Sequence, residues 1–358
     1  MVSTSSARLA VLDRGTGYRT NLWALRFLTS GRGETNASCL SGMIVLNSTA
    51  ARKAQISITG TLGSGKSTVA SLVAKSLGWH HFSTGAAQRE IAQSMGMSTL
   101  ELNRAAETDK TIDEKIDSIF RELGGAEGVV ADSRMAWHFM PESFRVRLIV
   151  APEVAAHRII ADSQRDAEKY QDTKIAVADI VARADSERKR FKHTYNVDIT
   201  SDANYDTTID TLNVRAQDVA ELVLANYFLW RQKAPFANWL ISPKTLIPTQ
   251  SIRRRDEGGV SGNSPPAVGD ATVAKPDPLV LLHRDYYFIV DGHHRVCKAA
   301  RLGSTAIPVK IVRSLASAKP LSVTEERFIL DSVKRSAISD WEDACAFQFE
   351  HLPDWLPS

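Results

Sequence analysis

Apolar and polar residues alternate in two rhythms between about residue 54 and residue 224. Gln55 to Thr59 (QISIT) is a β-branched run that predicts a strand, and it runs straight into a glycine-rich turn. Val69 to Leu77 has apolar residues at helical spacing, with Gly78 as a stop signal. A short strand ends near Phe82 and Ser83, where another helix opens. Gly128 to Asp132 (GVVAD) and Phe144 to Val150 (FRVRLIV) read as buried strands, and Pro152 suits the first turn of the next helix. Asp162 to Lys192 reads as an exposed, charge-dense helix and Thr207 to Asp210 as a last strand. Ser98-Thr99-Leu100-Glu101 and Thr111-Ile112-Asp113-Glu114 are capping-box patterns, each predicting a helix start. Strands alternating with helices predict an α/β fold, a parallel sheet flanked by helices.

Near Pro235 the texture changes. Asp256 to Pro276 is a loop rich in Gly, Ser, Pro and Asp. Beyond it, Tyr286 to Val290 reads as a strand, Val296 to Leu302 as a short helix and Ile307 to Val312 as another strand. Two more capping boxes, Ser322-Val323-Thr324-Glu325 and Ser339-Asp340-Trp341-Glu342, predict two terminal helices. The expected order is a poorly ordered extension (1–50), an α/β domain (51–232), a smaller α+β domain (235–316) and a helical tail (317–358). The Arg- and Ser-rich, acid-poor start also fits a transit peptide, and Met43 is an alternative initiation site.

Composition narrows the class. Hydrophobic residues make up 43% and charged residues 24% of 358, which excludes a mostly disordered chain or a fibre. No stretch reaches the ~20 apolar residues of a transmembrane helix. Lys plus Arg is 44 against 41 for Asp plus Glu, a net +3 that does not mark a nucleic-acid protein. Cys39, Cys297 and Cys345 are far apart, without a CxxC, so neither a disulfide framework nor a zinc ribbon is expected, and a reducing cytoplasm fits best.

Gly60-Thr61-Leu62-Gly63-Ser64-Gly65-Lys66-Ser67 fits G-x-x-x-x-G-K-[ST], followed by Thr68. Such a loop curls so that successive N–H groups face phosphate oxygens; Lys66 reaches the β and γ phosphates and the Ser67 hydroxyl ligates Mg²⁺. The helix behind it turns its positive dipole end to the same anion. Strand before and helix after make this a nucleotide cradle, with ATP and Mg²⁺ as expected cofactors. Ser83, Thr84 and Gly85, with Arg89 one turn on, offer hydroxyls, a helix start and a cation to a second anion. Asp132, at the end of an apolar strand, is placed to order Mg²⁺ and its waters, and Arg134 follows it. Arg183, Arg188 and Arg190, with Glu187 between them, cluster on one charged helix.

Together these segments resemble the nucleoside monophosphate kinases, most closely the cytidylate kinase-like family, over roughly Ala54 to Leu224. The resemblance implies that Ser83 to Arg89 receives the monophosphate acceptor, that Asp132 to Arg134 serves metal and acceptor phosphate, and that the arginine-rich helix is a mobile lid. It also implies an acceptor-binding insert, Gly85 to Leu123. Family members often carry an acidic residue just after the Ser-Thr-Gly, where this chain has Ala86 and Ala87.

Asp291-Gly292-His293-His294-Arg295 lies between strand and helix, so its donors gather at another helix start. With Asp277-Pro278-Leu279 and Ile307-Pro308-Val309 it resembles the ParB/sulfiredoxin-like fold, over about Asn238 to Arg313. Sulfiredoxin chemistry needs a cysteine where His293 and His294 stand. The free serine kinases use a glutamate where this chain has Gln250, which is no general base. The turn is therefore expected to bind a nucleotide (CTP, ATP or ADP) or a phosphate rather than to catalyse.

The combined expectation is an ATP-dependent kinase of a nucleoside monophosphate, CMP or dCMP, with an appended ParB-like module. Lys66 and the loop amides hold ATP, Ser67 and Asp132 hold Mg²⁺, Arg89 and Arg134 hold the acceptor, and Arg183, Arg188 and Arg190 close over the transfer. Two alternatives stand beside it. One is a kinase of a non-nucleotide hydroxyl acceptor such as an amino acid or antibiotic precursor. The other is a nucleotide-responsive regulator binding DNA, supported by Arg253-Arg254-Arg255.

Overall fold

The computed structural model describes residues 10–12, 19–21, 52–97, 102, 110–161, 172–252, 276–315 and 324–356. The Ser98–Glu101 box, the Arg253–Arg255 run, nearly all of the Asp256–Pro276 loop and the start of the Asp162–Lys192 segment lie outside the described residues. In the first 50 residues, β1 (Ala10–Leu12) pairs antiparallel with β2 (Arg19–Asn21). The chain divides into two compact units, one of Met1–Thr211 with Arg215–Phe236 and one of Leu212–Val214 with Ala237–Ser358.

In the first unit, β3 (Gln55–Gly60), β4 (His80–Ser83), β5 (Val129–Asp132), β6 (Phe144–Ile149) and β7 (Thr207–Asp210) lie in the order β7-β6-β3-β5-β4, all parallel. Every residue of β3 is buried, which is why it reads as a continuous β-branched run rather than an alternating one. Helices α1 (Lys66–Leu77), α2 (Thr84–Ser94), α3 (Lys110–Gly125), α4 (Ala136–Phe139), α5 (Pro152–Ala161), α6 (Thr173–Tyr195) and α7 (Ala216–Arg231) complete the unit. Gly78 ends α1 in the left-handed region, as its stop signal predicts. Lys110–Gly125 is helical, so Thr111 lies inside α3 and not at its cap.

The second unit holds β8 (Trp239–Ile241), β9 (Leu246–Ile247), β10 (Leu279–His283), β11 (Tyr286–Asp291), α8 (His293–Arg301), β12 (Ile307–Pro308), β13 (Lys310–Val312), α9 (Glu325–Ser332) and α10 (Arg335–Cys345). Its four-stranded sheet runs β13-β10-β11-β9, and β12 pairs with β8. The strand expected over Ile307–Val312 is two pieces with different partners: β12 joins β8 antiparallel and β13 joins β10 parallel. The expected tail is part of this unit. Ile329, Val333 and Ile338 pack into one core with Ile247, Leu281, Phe288 and Leu315.

The two terminal capping boxes are displaced. Ser322 lies outside the described residues; Thr324 is the N-cap of α9, its Oγ1 accepting from Arg327 N at 3.3 Å, while Glu325 accepts from Leu315 N at 3.0 Å. Ser339–Glu342 lies within α10, whose buried residues Ala337, Ile338, Trp341 and Cys345 recur at helical spacing and draw its start back to Arg335.

Candidate active site

The carboxyl ends of three neighbouring strands build the site, where open parallel sheets place their ligands. Asp132 at the end of β5 is in register with Ser83 at the end of β4 and with Ile58 of β3. Two residues beyond Ile58, the glycine-rich loop begins. A Cβ on Gly60 would stand 2.4 Å from Leu148 O and 2.6 Å from Ser64 Oγ, so only glycine fits there. Gly65 is the N-cap of α1 with φ of 79°, a conformation that costs glycine nothing. Ser64 is buried and braces the loop from within, its hydroxyl donating to Thr61 O at 2.8 Å. Lys66, Ser67 and Thr68 follow on the first turn of α1, with Ser67 and Thr68 exposed. A curled loop on a helix start, with a lysine and two hydroxyls at its mouth, is a place for polyphosphate.

Asp132 is 2% exposed. Its Oδ2 accepts from Ser83 Oγ at 3.4 Å, and its backbone oxygen accepts from Thr84 Oγ1 at 3.4 Å. Ser83 is the N-cap of α2, yet its side chain makes no capping bond. Both hydroxyls therefore serve the β5 end rather than the helix, with Gly85 next along α2. Asp132 Oδ1 is buried and has no hydrogen-bond partner among the described residues. An unpaired, buried carboxylate oxygen at the end of the strand beside β3, whose end opens the loop, fits a hard cation or its water. Asp132 and Ser67 are the residues that would hold Mg²⁺.

Arg134 is held in place on all sides. Its backbone oxygen accepts from Trp137 Nε1 at 3.1 Å and from Thr59 Oγ1 at 3.4 Å. Its Nη1 donates to Gly60 O of the loop, and its Nε donates to Glu187 Oε2 at 2.8 Å. Glu187 Oε1 accepts in turn from Arg183 Nε at 3.3 Å. Loop, β5 end and arginine-rich helix are thus joined through two guanidinium groups and one carboxylate. The three arginines of α6 do not act alike. Arg183 shares Glu187 with Arg134, Arg188 pairs with Asp185 on its own helix at 3.2 Å, and the Arg190 guanidinium lies 5.1 Å from the Phe191 ring. Arg89 lies on α2, its side chain outside the described residues.

Beside Ser83 opens a cavity of about 470 Å³ lined by His81, Phe82, Ala87, Ile91 and Ile119 among others. Burial pushes the His81 imidazole below its ordinary pKa, against the opposing charge of Asp132, so the ring is held toward its neutral form. Arg158 is a residue that sequence reasoning misses. Its Nη1 donates to Thr211 Oγ1 at 2.9 Å and Gly63 O at 3.3 Å, and its Nη2 donates to Thr211 O at 2.7 Å. Gly63 lies 95 residues away, so no local pattern signals the contact.

In the second unit, Gly292 is the N-cap of α8 and Arg295 Nη2 donates to Asp291 Oδ2 at 2.9 Å. His294 is exposed. His293 departs from expectation: it is buried, with Nε2 3.0 Å from Thr249 Oγ1 and its ring edge-on to Trp341. Burial brings its pKa down to about 4. A neutral ring turned inward is no phosphate donor, so the expected role of His293 is not supported.

Comparison with known proteins converges on the first unit. The cytidylate kinase-like family matches residues 55–213. Cytidylate kinase of Aeropyrum pernix is 36% identical over 168 residues, 47% of this chain and 95% of that protein. Cytidylate kinase of Sulfurisphaera tokodaii is 34% identical over 173 residues, 48% and 93% of the two chains. An S-adenosylmethionine-dependent nucleotide dehydratase of Lacinutrix mariniflava is 34% identical over 177 residues, 49% of this chain and only 36% of its own.

Proposed function

The chain belongs to the cytidylate kinase-like family, and we propose that it transfers the γ-phosphate of ATP to a nucleoside monophosphate, CMP or dCMP. The observation that carries this reading is Arg134, fixed between the phosphate cradle and the arginine-rich helix, two residues past the strand that ends in Asp132. Phosphoryl transfer between two phosphates needs positioning and charge neutralisation rather than a side-chain nucleophile. The site offers both.

In this reading the loop amides and Lys66 hold the ATP phosphates. Ser83, Thr84, Arg89 and Arg134 receive the acceptor phosphate, with the acceptor's ring in the adjoining cavity. Ser67 and Asp132 would hold Mg²⁺, which would supply charge neutralisation for the transferring phosphate. Arg183, and Arg188 and Arg190 on closure of α6, complete the positive surround, so the acceptor oxygen attacks in a water-poor, cationic enclosure. The names of the archaeal relatives support a cytidine acceptor, and the dehydratase supports nucleotide chemistry more broadly. The test is ADP release from ATP and Mg²⁺ with each nucleoside monophosphate in turn. CMP or dCMP turnover well above the others is expected; turnover of none of them, or equal turnover of all, overturns the proposal.

We further propose that the second unit is ParB/sulfiredoxin-like and that its Asp291–Arg295 turn binds a nucleotide or phosphate. The helix start, the exposed His294 and the Arg295 guanidinium support it. Calorimetric titration of CTP into the full chain carrying Lys66→Ala, with and without Arg295→Ala, separates this site from the cradle. Equal heats in the two proteins would sink it.

A further inference from the structure

We propose that Cys297 and Cys345 form a redox-modification site, at which a peroxide-class oxidant joins the two thiols into one intramolecular disulfide. Cys297 lies in the middle of α8 and Cys345 at the end of α10, 48 residues apart in sequence and both buried as free thiols. Their sulfurs are 3.0 Å apart. A disulfide bond is about 2.05 Å long, so closure needs an approach of about 1 Å.

The surrounding structure fixes the pair where two helices meet. Arg301 Nε of α8 donates to Ala344 O at 2.7 Å, locking the two helices together one residue from Cys345. Ala346, immediately after Cys345, is in the left-handed region with φ of 54° and ends the helix, so Cys345 is on the last turn, closed by bonds from Ala346 N and Phe347 N to Glu342 O. Trp341, one turn earlier on α10, donates through Nε1 to Gln250 O at 3.1 Å and packs against the His293 ring. A cross-link at Cys345 therefore pins the surface on which the start of α8 rests.

The chemistry balances with one equivalent of hydrogen peroxide. One sulfur, as thiolate, attacks the O–O bond and becomes a sulfenic acid with release of water. The second sulfur displaces the hydroxyl as a second water, forming the S–S bond. Two electrons pass from the sulfurs to the peroxide, and both thiol protons leave in water. Burial and the neighbouring thiol push Cys345 up to about 12, which keeps it protonated at neutral pH and makes the reaction slow. Burial also favours a small oxidant over a bulky disulfide reagent.

The experiment uses the full chain carrying Cys39→Ser, reduced and freed of thiol, then treated with hydrogen peroxide. It is alkylated in denaturant and mapped by mass spectrometry. The expected product is a peptide pair linked through Cys297 and Cys345, with neither residue alkylated. Its thermal midpoint rises by roughly 10 °C and returns on treatment with dithiothreitol. Two alkylated cysteines without the linked pair, or sulfinic acid at either position, overturns the proposal. In Cys345→Ser, peroxide should leave the midpoint where it was. A reducible rise there would also overturn it, and the mapping of the parent protein does not depend on how that variant folds.

Discussion

Replacing Lys66 by alanine tests the cradle at the residue scale. Phosphoryl transfer should fall below detection with every acceptor while the circular dichroism spectrum stays that of the parent; near-normal turnover would remove Lys66 from the reaction. Glu187→Gln tests the joint between Arg134 and Arg183. A neutral amide no longer orients two guanidinium groups, so the acceptor KM should rise about tenfold, as for one lost charge-assisted bond, with the KM for ATP little changed. Glu187→Asp should recover part of the loss. These two residues differ in how they could be read beforehand. Lys66 announces itself because the loop motif is local. Glu187 was visible only as a charge among arginines: its i, i+4 partner Arg183 is legible in sequence, whereas Arg134, 53 residues away, is not. Ser83 and Thr84 were legible as hydroxyls at a helix start, and only the β4–β5 register shows that they serve Asp132 instead of the helix.

At the scale of elements, α5 is the case in point. Its first turn was legible from Pro152, but its task was not, since Arg158 spans from Gly63 of the loop to Thr211 beyond β7. Arg158→Ala removes three donated bonds from carbonyl and hydroxyl oxygens at the loop's flank. The expected outcome is a weaker ATP complex, with KM for ATP up roughly tenfold or more and the acceptor KM much less affected. A change confined to the acceptor would refute this role. Strands and helices of the first unit could be read because buried parallel strands are continuous apolar runs and helices keep their own period. The terminal helices were legible as helices but not in register, because burial of Ile338 and Trp341 outweighs a capping pattern worth about 1 kcal/mol. Short strands such as Leu246–Ile247 carry too few residues for any period to show.

At the scale of the whole molecule, the two units should respond differently to acid. His293 titrates near 6.5 when unfolded and at about 4 when folded. Between those values the unfolded chain takes up a proton that the folded unit refuses, so stability falls as pH falls from 6.5 toward 4 and is unaffected above 6.5. The expected loss is about 2–3 kcal/mol, read as a lower denaturation midpoint for the second unit, and His293→Gln should flatten it. An unchanged slope in that variant would assign the acid sensitivity elsewhere. The second unit also bears on how the molecule is divided. Leu212–Val214 belong to it, although the chain then returns to the first unit for α7 before leaving again at Phe236. Within the second unit, Asn213 Nδ2 donates to Thr245 Oγ1 at 3.4 Å, and Thr245 Oγ1 donates to Leu212 O at 3.5 Å. The border between the units is therefore crossed three times and has no single cutting point. Neither half can be excised, swapped or inherited as one uninterrupted stretch without taking a few residues from the other.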